Sequence, residues 1–86
     1  MTFNEFEIGT IFYTVTGPWL VIDVATARVI AVKLKDNEVS TLRALWYIHK
    51  DGQRVVNYFY DDTREEVVFA WYDFEGCKVY PFSEEK

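Results

Sequence analysis

Cysteine, histidine, proline and glycine are all scarce in this chain, and each scarcity removes a class of explanation. The single cysteine, Cys77, has no partner for an internal disulfide, which suits a reducing compartment. One cysteine and one histidine, His49, do not complete a zinc site. The four glycines lie far apart, so no Gly-rich phosphate loop exists. No apolar run reaches bilayer length; the longest, near Trp19–Val24 and Val29–Leu34, are strand-sized. The opening "MTFNEFEIG" carries acids and no base, the wrong chemistry for a signal peptide. The expectation is a cytoplasmic protein without cofactor or metal.

Basic residues are also few, and their distribution says more than their number. Residues 1–60 hold six acids and six bases, whereas residues 61–86 hold eight acids against Arg64, Lys78 and Lys86. The whole net charge of −5 therefore falls in the last third. No basic stripe offers itself to a phosphate backbone, so direct contact with nucleic acid is not expected. An acidic field of this kind suits a basic partner, including the nucleic-acid site of another protein.

What the chain does have is apolar and aromatic mass. Half of its 86 residues are hydrophobic and 19% are aromatic, enough for one core and one domain. Alternation with a period of two dominates. "TIFYTV" (10–15) runs into the turn signal Thr16-Gly17-Pro18; "WLVIDV" (19–24) and "RVIAVKL" (28–34) follow, then the polar "KDNE" (35–38). The middle, "STLRALWYIHKDGQRVVNYFY", reads as a hairpin turning at Asp51-Gly52, with arms near 43–49 and 54–60. The alternative is a short helix near 40–48, capped by Ser40 or Thr41, with Leu42, Leu45 and Trp46 at helical spacing. "EEVVFAWY" (65–72) is apolar on both faces beyond its first pair and predicts a covered strand. "CKVYPF" (77–82) predicts a last edge strand that Pro81 helps to end. The expected fold is all-β: a strongly bent antiparallel sheet or SH3-like barrel of about six or seven short strands.

Two segments, "FYTVTGPWLVIDVATARVIAVKLKD" and "EEVVFAWYDFEGC", carry a resemblance. They are similar to a family of small uncharacterised bacterial proteins. Its members read close to F-(Y/W)-T-A-T-G-x-W-R-x-T-D-V-G-T-R-T-I-V-A-I-x-L-D, then V-V-F-D-E-Y-D-x-x-x-C. The likeness covers roughly residues 11–36 and 65–77, about half the chain. The pattern falls on Trp19, Asp23, Val24, Thr26 and Ala31, and on Phe69, Tyr72, Asp73 and Cys77. Ala25 stands where the family has Gly, and Ala27 where it has Arg, with Arg28 one place later. The 40–60 region is also longer than the family's pattern implies. The resemblance implies a fold and a bacterial or mobile-element origin; it implies no activity.

Candidate chemistry is thin. Lys78 beside Cys77 would lower a thiol pKa, but nothing ties that thiol to His49, and a lone cysteine opening a strand is ordinarily a packing residue. "DDTREE" gathers four carboxylates without the glycine and ordered ligand positions of a calcium loop. Asp73 and Glu75 form a carboxylate pair in no recognisable pocket.

The stretch 57–75, "NYFYDDTREEVVFAWYDFE", stands out, with seven aromatic rings among six carboxylates. One explanation is solubility, because acids at a strand end discourage edge-to-edge pairing. The other is recognition, in which rings anchor a contact and acids select a basic partner. On the second explanation the binding residues are Tyr58, Tyr60, Asp61, Asp62, Glu65, Glu66, Asp73 and Glu75, supported by Glu84 and Glu85. The expected function is that of a small, non-catalytic acidic binding protein. Its most concrete form is a phage or mobile-element anti-defence inhibitor, anti-CRISPR-like, docking on the basic nucleic-acid-binding surface of a protein. Two alternatives stand beside it: an adaptor module that dimerises by edge-strand pairing, and a small enzyme using Cys77.

Overall fold

The computed structural model describes residues 6–26, 28–61 and 63–70. Within them lie strands β1 (Ile11–Thr14), β2 (Gly17–Val24) and β3 (Arg28–Lys33), helices α1 (Asp36–His49) and α2 (Gly52–Phe59), and strand β4 (Glu66–Ala70). The four strands form one antiparallel sheet in the order β1-β2-β3-β4. The all-β expectation is therefore overturned: the fold is mixed, an open sheet with a helical hairpin inserted between its last two described strands. The first three strands fall where the alternation predicted them. The expected strand at 77–82 lies outside the described residues.

The middle segment is where the expectation failed, and its chemistry explains why. Lys35 is extended and has no side-chain acceptor, so helix α1 begins with help from inside: the Glu38 carboxylate accepts the Lys35 N–H at 2.8 Å. Asp36 and Glu38 also place negative charge in the first turn, where the helix dipole favours it. Val39 and Leu42 are buried, and Leu45 and Trp46 half-buried, which is the stripe a core-facing helix needs. The helical alternative thus had the right face but the wrong start, because the helix opens at Asp36 and not after Ser40 or Thr41.

Asp51-Gly52 is a helix start and not a hairpin turn. Lys50 closes α1 in the left-handed region (φ 52°), its N–H donating to the Trp46 carbonyl at 2.7 Å. Asp51 then caps α2, its Oδ1 accepting from the amides of Gln53 at 3.1 Å and Arg54 at 3.4 Å. Gly52 is required by contact: a Cβ there would lie 1.5 Å from the Ile8 carbonyl oxygen. The facing Gly9 has φ +94°, and its own Cβ would lie 2.6 Å from Gly52 Cα. The two glycines let α2 sit directly on the segment that leads into β1.

The sheet buries side chains on both faces. One face holds Phe6, Phe12, Trp19, Val21, Val29 and Ala31, with Val67 and Phe69 packed against them. Its rings meet edge to face: Phe6–Phe12 at 5.5 Å, Phe12–Phe69 at 5.2 Å and Trp19–Phe69 at 4.9 Å between centroids. The other face lays Ile11, Leu20 and Val32 against Leu34, Val39, Leu42, Val55 and Val56. Full burial of each such side chain contributes about 1.5–3 kcal/mol. A register shift between Val21 and Asp23 leaves Ile22 as an extra residue in β2, a bulge that bends the strand.

The "F-Y-T-V-T-G-P-W" string is a folding device. Thr14 pairs with Gly17 across a two-residue loop, Val15-Thr16, and Gly17 has φ +125°. Thr14 Oγ1 accepts from Trp19 Nε1 at 2.9 Å, which satisfies the indole N–H of a ring that is 8% exposed.

Candidate docking surface where the helical hairpin returns to the sheet

The acids at 61–66 sit on the connection from α2 to β4, and Arg64 organises it. Tyr60 is extended (φ −75°, ψ 132°) and its N–H closes α2 on the Val56 carbonyl at 2.7 Å. Asp61 then forms a local turn, its Oδ1 accepting from the Thr63 amide at 3.0 Å and from the Thr63 hydroxyl. Those bonds, the hydroxyl foremost, hold the Asp61 carboxyl below its ordinary value.

Arg64 folds inward. Its Nη1 donates to Glu38 Oε1 at 3.0 Å and to the Lys33 carbonyl at 3.2 Å, and its Nη2 donates to Glu38 Oε2. The guanidinium also lies 4.4 Å from the Phe59 ring centroid. One side chain thus ties the end of β3, the first turn of α1 and the end of α2. The pair is largely shielded, with Arg64 21% and Glu38 17% exposed at the side chain. The Arg64 hydrogen bonds draw the Glu38 carboxyl below its ordinary value against the opposing effect of burial, and Glu38 raises the Arg64 pKa in return.

The consequence is electrostatic. Arg64 is the one base in 61–66, and its charge is matched by Glu38 from another element. Asp61, Glu65 and Glu66 are all exposed; Arg64 gives its side-chain hydrogen bonds to Glu38 and the Lys33 carbonyl, while its charge also acts on the Asp61 carboxylate. Asp61 and Glu65 lie on the connection, and Glu66 opens β4. Tyr58 is 66% exposed on α2, where its ring stacks on His49 with centroids 4.9 Å apart and planes at 14°. Tyr60 is half-buried against the helix-side core. Asp62, Asp73 and Glu75 lie outside the described residues, as does Cys77.

The stretch that mixes rings with acids therefore separates in space. Phe69 enters the aromatic cluster, Phe59 and Tyr60 pack on the second core, and Asp61, Glu65 and Glu66 stay in water. Sequence reasoning missed two features: the Glu38–Arg64 pair, and the exposure of Tyr47 and Ile48 on α1. The first left no local signal, because 26 residues separate Glu38 from Arg64. The second needed the helical period, which places Tyr47 and Ile48 opposite Leu42.

No protein-family model, curated protein or solved structure matches this chain. Among the described residues, no helix is long and apolar enough to cross a membrane.

Proposed function

We propose that this chain is a small, non-catalytic binding protein that engages a basic protein surface through Asp61, Glu65 and Glu66. The observation that supports this reading is the internal pairing of Arg64 with Glu38. A base placed among four acids in sequence would ordinarily mute them, yet here its hydrogen bonds go to Glu38, and Asp61 is the acid of the run that its charge still reaches. A nucleic-acid-binding surface of another protein is the partner chemistry that fits, because it presents the clustered cations such acids select. Under this reading the most concrete role is an anti-defence inhibitor that occupies such a surface in place of its nucleic acid.

The test is capture from bacterial lysate on the immobilised chain at low and at high salt, with mass spectrometry of the eluates. The expected result is a small set of basic proteins retained at low salt and released at high salt. Retention of the same set by the Asp61→Lys, Glu65→Lys variant would exclude this surface.

A further inference from the structure

The helical hairpin also exposes side chains of a different character. Tyr47 is 78% exposed, Ile48 69% and Tyr58 66%, three of the five exposed large hydrophobic residues among the described residues. Tyr58 stacks on His49, and Lys50 Nζ lies 5.9 Å from the Tyr47 ring centroid. Lys50 and Arg54 are exposed, with Arg54 one turn before Tyr58. Asp51, between them, caps α2 by accepting from the amides of Gln53 and Arg54, and the three exposed charges of this turn sum to +1. Tyrosines beside Arg54 have the composition of an interface centre.

The complement of this surface is present on the same chain. We propose that the hairpin end is the seat of a second copy, in a two-fold dimer where Lys50 and Arg54 of each copy meet Glu65 and Glu66 of the other. Two-fold symmetry makes the charge contact twice, at opposite rims, with Tyr47, Ile48 and Tyr58 of both copies between them. This inference rests on the outward-facing acids of the reading above and gives them a second occupant. Self-association then competes with a basic target, so the free inhibitor stores itself as a dimer and is released by dilution or by its target.

Sedimentation velocity of the purified full chain over a concentration series tests this. Wild-type protein is expected to move from monomer to dimer mass as concentration rises, and back toward monomer as salt is added. Lys50→Asp with Arg54→Glu, and separately Glu65→Lys with Glu66→Lys, are expected to give monomers, since each places like charges face to face. Aspartate is chosen at position 50 because it tolerates the left-handed backbone there. The decisive arm mixes the two variants: attraction is restored at both rims, and a mixed dimer forms. Tyr47→Ser with Tyr58→Ser leaves every charge in place and is expected to weaken the dimer at all salt concentrations, so a misfolded charge variant does not stall the test. A monomeric wild type at every concentration overturns the proposal. So does a dimer that survives both reversals, and so does a mixture of two folded variants that stays monomeric. Because only pure protein is used, failure here leaves capture of a basic target by the same acids as a separate result.

Discussion

Arg64 and Glu38 show how one side chain sets both stability and surface charge. Arg64 holds the Glu38 carboxyl below its ordinary value near 4.5, so the unfolded chain binds this proton more readily than the folded one. The stabilisation is complete above that ordinary value and disappears as pH falls through the depressed one. Glu38→Gln is expected to cost about 1–3 kcal/mol at neutral pH and to flatten the acid side of the stability profile, as measured by urea unfolding across pH. Gly52 offers a harsher test. Its Cβ would collide with the Ile8 carbonyl, which belongs to the backbone and has no rotamer to escape through. Gly52→Ala is expected to lose about 2–4 kcal/mol in the same assay, and an unchanged midpoint would mean that the Gly9–Gly52 contact is not formed. Neither residue's role was legible in the sequence. Gly52 after Asp51 carries the same letters as a hairpin turn, and only the approach of a distant segment, residues 8–9, distinguishes the two.

At the scale of elements, the strands were legible and the helices were not. Strands β1 to β3 are short runs rich in β-branched and aromatic residues between turn residues, and local physics places them. In the middle, Trp46, Tyr47 and Ile48 favour a strand locally, but Val39, Leu42, Leu45 and Trp46 share a helical face that the sheet needs covered. Tertiary burial won over propensity. Strand β4 was expected to be covered on both sides; Val67 and Phe69 do pack inward, while Val68 is 52% exposed because the helices lie over β1 to β3. The cap of α2 gives this level its prediction. Asp51→Ala removes the acceptor for two amides and is expected to cost about 1 kcal/mol, with loss of helical far-UV signal before the sheet melts. A circular-dichroism spectrum of strand type only, at any temperature, would contradict the helical hairpin itself.

At the scale of the whole molecule, charge and rings are sorted in space. The sheet takes Phe6, Phe12, Trp19 and Phe69 onto one face, the helical hairpin covers the other, and the hairpin with the connection after it exposes two unlike sets of side chains. One is acidic at Asp61, Glu65 and Glu66, the other aromatic and basic at Tyr47, Lys50, Arg54 and Tyr58. The acidic surface was partly legible, because a run of carboxylates is visible as letters. That Arg64 would leave the run to pair with Glu38 was not, since 26 residues separate them. The aromatic surface was hidden by the strand assignment of α1, which turned the wrong side chains outward. The central claim, that exposed carboxylates on the α2–β4 connection select a basic partner, is tested most directly by affinity against ionic strength. With a captured basic protein purified, binding to wild type and to the Asp61→Lys, Glu65→Lys variant is measured by calorimetry over a salt series. The account predicts that wild-type affinity falls steeply as salt rises and that the variant binds weakly at every salt concentration. Equal affinities and equal salt dependence for the two chains would contradict it.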